Sequence, residues 1–253
     1  MIRQIYSQVY KNFKILTRNY FRLFDITIWP LTLLFSISLF VRFVQASPEI
    51  IAMVILGVTG WRIVYHMQID IATSYMEEFW SHSLNHFLIS PLRWIEFIIG
   101  NVITGMIKFA FVLIMYLVVS KAVFGFTVTN IPLFALGLGV LGIFGITLGL
   151  MTMSLVMLYH DNAYTAAYIV PDLLVLLSGV YYPISIFPAA VQPIIKVIPA
   201  VYGFNILKST IGLAQVDYPM LAITTIAWLV LSILLFVYCL NYAKKTGKLG
   251  RMM

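Results

Sequence analysis

Six long apolar stretches fill most of the chain, and strongly basic segments flank them at both ends. The stretches occupy residues 26–41, 50–69, 94–119, 131–158, 165–182 and 219–240. Each predicts a membrane-spanning helix, because a helix satisfies its own backbone polar groups and crosses the ~30 Å hydrocarbon layer with about 20 residues. The first and fifth stretches are short and need flanking residues to complete a span. The predicted fold class is therefore all-α integral membrane, with six transmembrane helices.

Composition and the placement of charge exclude a soluble or nucleic-acid-binding protein. Hydrophobic residues make up 62% of the chain and charged residues 10%, against roughly a quarter charged in soluble domains. The net charge of +7 gathers at the two ends of the chain rather than along a soluble face. Basic segments stay on the cytoplasmic side of a membrane. We therefore expect a multi-pass protein of the cell (inner or plasma) membrane with both termini cytoplasmic, which requires an even number of spans.

The pattern divides the chain into three parts. Residues 1–24 predict a cytoplasmic amphipathic helix, because apolar residues recur every three or four positions and cations follow on another face. Residues 25–243 form the single transmembrane domain, and residues 244–253 form a basic cytoplasmic tail. The first helix contacts membrane lipids, and it either only anchors the chain or also forms a gate to the cytoplasm.

A further helix is predicted at residues 74–91, between the second and third stretches. Ser74 and Glu77 have the spacing of a capping box, so a new helix is expected to start there. The residues of this helix that we expect to face a partner are Glu77, Glu78, Phe79, Trp80, Leu84 and Leu88. An amphipathic helix at the inner face either docks onto a soluble protein or lies passively on the membrane.

The segment at residues 183–210, between the fifth and sixth stretches, is too apolar for a water-exposed loop. Prolines at positions 183, 188, 193 and 199 divide it into pieces too short to cross the bilayer. Short re-entrant helices packed against the bundle are one solution. A hydrophobic external loop that binds another protein is the alternative.

Two sequence motifs carry a family resemblance. The acidic-aromatic start at Glu77, the leucines that follow and the Ser90-Pro91 pair resemble the signature of type 2 ATP-binding-cassette (ABC-2) permeases. The second motif begins at Gly179 and Pro183 and continues to Lys208. Where the family has an asparagine before a proline, and finally an arginine, this chain has Ile198 and Lys208.

The resemblance implies a transport subunit that works as a dimer, and we expect a homodimer here. Each permease subunit is expected to rest on a cytoplasmic ABC ATPase. It implies that residues 77–90 form the coupling helix, that residues 1–24 form an interface helix, and that residues 183–208 close the outer end of the pathway. Pro183 and Pro188 lie in this closing segment, and Tyr181 and Tyr182, directly before it, are also candidates for the substrate pathway or its gate.

Ionisable residues inside the membrane are costly and predict a functional site. Arg62, His66 and Asp70 follow at four-residue spacing on one face of the second stretch. A pair between Arg62 and Asp172 is a hypothesis for a polar wall along the substrate path. Lys108 has no obvious partner at its depth, so it either faces the cavity between the two subunits of the dimer or extends toward the outer surface.

Glycines at positions 145 and 149 of the fourth stretch have the spacing that permits close helix contact. Packing within one subunit and a seam between two subunits both remain open.

Energy for transport must come from outside the chain. The phosphate-binding loop of ATPases is absent, since Thr246-Gly247-Lys248-Leu249 lacks its first glycine and its hydroxyl. We therefore predict no enzyme activity, cofactor or metal site here, with ATP and Mg bound by the partner ATPase. The predicted function is export of an amphipathic substrate (drug, lipid or lipid-linked glycan) by alternating access. A gradient-driven transporter and an intramembrane enzyme are the alternatives.

Overall fold

The computed structural model describes residues 1–247 and Leu249, and all regular structure in this part is helical. Lys248 and Arg251 of the predicted basic tail lie outside the described residues. The helices, in chain order, are α1 (Ile2–Arg18), α2 (Tyr20–Phe43), α3 (Pro48–Trp80), α4 (Leu84–Ile89), α5 (Trp94–Phe124), α6 (Ile131–Tyr159), α7 (Asp161–Tyr164), α8 (Ala166–Leu177), α9 (Gln192–Ile195), α10 (Pro199–Ser209) and α11 (Tyr218–Lys245). A 3-10 turn at Ile184–Ile186 precedes α9.

The amphipathic first helix is confirmed as α1. It ends at Asn19, where the backbone is extended and the Asn19 side chain accepts hydrogen bonds from the N–H groups of Phe21 and Arg22. Since these N–H groups at the start of α2 have no partner within their own helix, Asn19 caps α2 and separates it from α1.

Five helices in the described part are long and apolar enough to cross a membrane: α2, α3, α5, α6 and α11. In the most apolar windows of α3 and α6, 72% and 61% of the residues are buried, against 22–28% in the other three. The chain is therefore a multi-pass membrane protein with α3 and α6 at its centre. The other long helices surround this pair and leave apolar faces outward, where lipid is the expected solvent.

Close packing of α3 against α6 explains the glycines of the fourth stretch. A Cβ atom at Gly145 would lie 2.7 Å from the carbonyl oxygen of Val64, and one at Gly149 would lie 2.8 Å from the Cβ of Ile71. Both contacts are shorter than real Cβ contacts, so the two helices approach this closely only at glycine. Of the two interpretations, packing within one subunit accounts for these glycines.

The fifth apolar stretch forms only the 12-residue α8, about 18 Å long, so six full-length spans are not confirmed. Near its start, the Gln68 side chain of α3 donates to the Ala167 carbonyl at 2.9 Å. Just beyond its end, Val180 packs against Gly57 of α3. Gly57 lies about 13 Å along α3 from its first residue. The chain therefore turns back inside the bundle, before α8 has passed the full length of α3.

The turn that follows α8 depends on a glycine in the left-handed conformation and on a buried lysine. Gly179 has a φ of +64°, which side chains other than glycine rarely adopt. The ammonium group of Lys208 donates to the carbonyl oxygens of Gly179 and Tyr182. Lys208 thereby satisfies main-chain acceptors of the turn that follows α8.

The short helices after α8 pack into the part of the bundle that α8 does not reach. Phe204 and Leu207 of α10 are fully buried in the same core cluster as Leu141 of α6. The prediction of broken helices packed against the bundle is confirmed, and an external loop does not describe this segment.

The predicted helix start at Ser74 is wrong. The Ser74 hydroxyl donates to the Ile71 carbonyl within α3, and the helix continues to Trp80. Neither glycine nor proline interrupts residues 61–80, and the buried Tyr75 and Met76 extend the core contacts of α3 past the apolar stretch. The break comes at His82, whose φ is +55°. The six-residue α4 then follows within residues 81–93, which we call the α3–α5 connection.

Candidate functional site

The α3–α5 connection presents apolar side chains at the end of the bundle where α1 lies. Phe87 of α4 is buried against Phe97 of α5, with ring centroids 4.8 Å apart. With Phe87 held in this way, α4 leaves Leu88 partly exposed and Ile89 83% exposed. Leu84, predicted to face a partner, is buried instead.

Glu77 and Glu78 pair with cations of the chain itself. The Glu78 carboxylate is buried, contacts the Lys11 ammonium group and accepts a hydrogen bond from Ser83. The Glu77 carboxylate lies 3.1 Å from the Arg22 guanidinium. These acids were expected to face a soluble partner, but they connect α1 and the start of α2 to α3. Burial lowers the pKa of Lys11, and the nearby Glu77 carboxylate offsets part of that effect.

A row of polar side chains holds α1 against α5. Asn12 donates to the Asn101 side chain at 2.8 Å and to the Thr104 hydroxyl at 3.1 Å. Gly100 allows this approach, since a Cβ there would lie 2.6 Å from the Gln8 side chain. Together with the Lys11–Glu78 ion pair, these contacts join α1 to both helices that flank the α3–α5 connection.

Aromatic contacts link the end of α3 to the turn between α6 and α8. The Phe79 ring lies 5.0 Å from the His160 ring, and the Trp80 ring meets Tyr164 edge-on at 4.5 Å. Phe79 and Trp80, two of the residues predicted to face a partner, therefore also pack within the chain.

A cavity of about 340 Å³, which we call the polar crevice, opens between α2, α3, α5 and α8. Its charged and polar lining residues are Arg22, Asp25, Tyr65, His66, Asp70, Thr73, Glu77, Lys108, Tyr164 and Tyr168. The crevice therefore brings together two of the predicted pathway residues, His66 and Lys108.

Lys108 has a partner, so the prediction that it lacks one is wrong. Its ammonium nitrogen lies 2.5 Å from Asp70 Oδ1. The second carboxylate oxygen, Asp70 Oδ2, is buried and has no hydrogen-bond partner among the described residues. The same holds for Nε2 of His66, a residue that is only 2% exposed.

The hypothesis of a pair between Arg62 and Asp172 is also wrong. Arg62 is buried, donates to the main-chain oxygen of Asp25 at 3.3 Å, and lies over the Tyr65 ring at 4.8 Å. Asp172 is exposed on α8, and no described cation lies within 4.0 Å of it. The main-chain oxygen and the aromatic ring give Arg62 partners that do not require a carboxylate.

The comparison with known families agrees with this architecture. The family model for the ABC-2 type transporter matches residues 3–212, which extend from α1 through α10. The chain belongs to the ABC-2 type transporter family. No curated protein matches it closely enough to serve as a relative.

In this ABC-2 family member, the residues predicted for outer closure lie at the far end of α3 from the polar crevice. Tyr181 packs near Gly57, and the Tyr182 hydroxyl donates to the Leu176 carbonyl. Pro183 and Pro188 are exposed and flank the 3-10 turn. The predicted pathway residues therefore form two separate groups rather than one site.

Sequence reasoning missed most of the acids and aromatic rings of the crevice. No sequence motif singles out Asp25, Tyr65, Tyr164 or Tyr168, all of which line the crevice. Helix depth could have revealed the Lys108–Asp70 pair. At 1.5 Å per residue, Asp70 lies about 15 Å from the end of α3 and Lys108 about 21 Å from the start of α5. The flexible stem of a lysine covers such a difference.

Proposed function

We propose that this ABC-2 protein is the membrane subunit of an ATP-driven exporter. Two copies form the transport path, and each rests on a separate ATPase subunit that binds ATP and Mg. The substrate is amphipathic: a drug, a lipid or a lipid-linked glycan. Membership of the ABC-2 family supports the transport role.

The length and burial of α3 are the observation that carries the proposal. At 33 residues α3 is about 50 Å long, well beyond the ~30 Å hydrocarbon layer. Its central part is the most buried of the five long helices. A force on the α3–α5 connection therefore acts directly on a helix in the core of the bundle.

The mechanism follows from this connection. ATP binding draws the two ATPase subunits together, and each presses on the α3–α5 connection of one permease subunit. Because α1 is joined to α3 by the Lys11–Glu78 ion pair and to α5 by amide contacts, it moves with them. The pathway then changes its exposure from the cytoplasmic side to the outer side. Because the ATPase subunits are cytoplasmic, this mechanism requires both termini and the α3–α5 connection to face the cytoplasm.

The exposed Ile89 offers a test of the ATPase contact. In the ATPase-bound state Ile89 enters an apolar cleft, so Ile89→Glu places a charge there without a partner. We expect affinity for the ATPase encoded with this chain to fall at least about tenfold, as truncation at a central contact does. Binding is measured with both proteins purified and the permease in nanodiscs.

Ile186→Glu is the matched control. Ile186 is also exposed, at 67%, but lies in the 3-10 turn beyond α8. We expect it to leave ATPase affinity within twofold of the unaltered protein. Equal affinity for the Ile89→Glu and Ile186→Glu variants would exclude the α3–α5 connection as the docking site.

A further inference from the structure

The charges of the polar crevice leave one carboxylate without a neutralising partner. Arg22 pairs with Glu77 and Lys108 pairs with Asp70. No described cation lies within 4.0 Å of the Asp25 carboxylate, because Arg62 contacts the main-chain oxygen of that residue instead. The lining residues therefore comprise three carboxylates and two cations, and the next cation, Arg62, lies behind them at the main chain of Asp25.

The buried atoms of the crevice also lack hydrogen-bond donors. Asp70 uses one carboxylate oxygen for Lys108, while its Oδ2 is buried without a partner in the described structure. His66 Nε2, on the same face of α3, is buried and unpartnered as well. An unmade hydrogen bond at a buried polar atom is costly. Oδ2 lies against α5, where a Cβ at Gly105 would be 3.1 Å from it, so a ligand in the crevice meets the Asp70 carboxylate through its negative charge and not through this oxygen.

The walls of the crevice suit a cationic ligand with a hydrocarbon tail. Tyr65, Tyr164 and Tyr168 line it, and the Tyr164 and Tyr168 rings are 5.4 Å apart. Aromatic faces attract cations, most strongly where water is excluded. Ile26 and Ile69 also line the cavity and provide apolar contact for an attached hydrocarbon tail.

We propose that the polar crevice binds the ammonium head of a cationic amphiphile, with Asp25 and Asp70 as its charge partners and the tyrosines as its walls. A phosphate head fits less well, because both cations of the lining are already paired and two carboxylates would face it. The transport of such a cation rests on the proposed function. Its binding does not, because binding is a property of this chain alone.

The test is equilibrium binding of radiolabelled dodecylamine to the full chain in phosphatidylcholine nanodiscs at pH 7, without ATPase. Dodecanol, dodecyl phosphate and dodecyl maltoside serve as competitors with the same tail. We expect unlabelled dodecylamine to compete at least about tenfold better than any of the three. Asp25→Asn should weaken dodecylamine binding about tenfold, which corresponds to about 1.4 kcal/mol.

Asp172→Asn is the matched control, since this aspartate is exposed on α8 and does not line the crevice. We expect it to leave binding within twofold. Asp70→Asn leaves Lys108 without its partner and can disturb folding. A double variant, Asp70→Asn with Lys108→Met, therefore accompanies it, and we expect weaker binding from the double variant too.

Dodecylamine binding no tighter than dodecanol binding would overturn the proposal, as would stronger competition by dodecyl phosphate or dodecyl maltoside. So would equal binding by the Asp25→Asn and Asp172→Asn variants. None of these results affects ATPase docking at Ile89. Conversely, equal ATPase affinity of the Ile89→Glu and Ile186→Glu variants, with intact dodecylamine binding, would refute the proposed ATPase docking and leave the crevice assignment standing.

Discussion

At the residue scale, Lys208 shows how a charge becomes part of the framework. It is 6% exposed and donates to main-chain oxygens of Gly179 and Tyr182, where α8 has ended inside the bundle. Carbonyl groups in a turn outside a helix need another donor, and the hydrocarbon region supplies no water for this purpose. The ammonium group therefore determines where the chain can turn back.

Replacing this ammonium group should destabilise the protein. Lys208→Met keeps most of the side-chain volume but leaves buried carbonyl groups unsatisfied, at about 1–3 kcal/mol. A loss of that size lowers the melting temperature by several degrees in a chain of this length, at about 2–4 °C per kcal/mol. The measurement is thermal unfolding in nanodiscs.

Lys196→Met is the control, because Lys196 is an exposed lysine in the same broken segment. We expect its melting temperature to stay within about 1 °C of the unaltered protein. Similar melting temperatures for the two variants would show that Lys208 does not support the turn.

At the element scale, the α3–α6 contact predicts opposite effects for the same substitution at two glycines of one helix. A Cβ at Gly145 would lie 2.7 Å from the Val64 carbonyl oxygen, whereas a Cβ at Gly139 would meet nothing within 4 Å. Gly145→Ala should therefore force α3 and α6 apart, at a cost of about 1–3 kcal/mol. Gly139→Ala should be neutral or stabilising, because alanine favours a helix by about 1 kcal/mol over glycine.

The two alanine variants are compared by thermal unfolding in the same detergent. Gly145→Ala should unfold at a lower temperature than Gly139→Ala. If Gly145→Ala were as stable as Gly139→Ala, the close helix contact would be wrong.

The attachment of α1 to α3 provides a second prediction for an element. Lys11→Glu places two carboxylates together at buried Glu78, which should release α1 from α3. Hydrogen–deuterium exchange over residues 2–18 should accelerate about tenfold or more. Combining Lys11→Glu with Glu78→Lys should restore part of the protection.

Lys14→Glu makes the same change of charge on α1. Because Lys14 is exposed and its contact is the ring of Tyr10 in the same helix, exchange should change little. Equal acceleration by Lys11→Glu and Lys14→Glu would point to a general loss of helix stability instead of a broken contact.

The sequence predicted the helices that depend on the periodicity of apolar residues. It did not predict helix ends and side-chain pairs that depend on contacts between distant parts of the chain. Apolar length located the long helices, and the glycine spacing predicted a close helix contact on the fourth stretch without identifying α3 as its partner. The capping pattern at Ser74 gave a wrong helix start, because the burial of Tyr75 and Met76 in the core favours the continuation of α3. The partners of Glu78 and Lys108 come from helices far away in the chain, so no local pattern contained them.

At the scale of the whole molecule, the chain connects an exposed contact at one end to the core of the bundle. The α3–α5 connection presents Ile89, α3 extends from this connection into the core, and the polar crevice lies beside that helix. In the proposed mechanism, a second protein, the ATPase, moves the α3–α5 connection. The central claim is therefore that transport depends on a separate ATPase.

The most direct measurement uses sealed vesicles that contain the purified chain with or without the ATPase encoded with it. Radiolabelled dodecylamine and dodecyl maltoside are followed in parallel, with ATP, with a non-hydrolysable analogue, or with an imposed proton or sodium gradient. The account predicts net movement of at least one of these amphiphiles only when both proteins and hydrolysable ATP are present. Movement by the chain alone down an ion gradient, with no dependence on the ATPase, would contradict it.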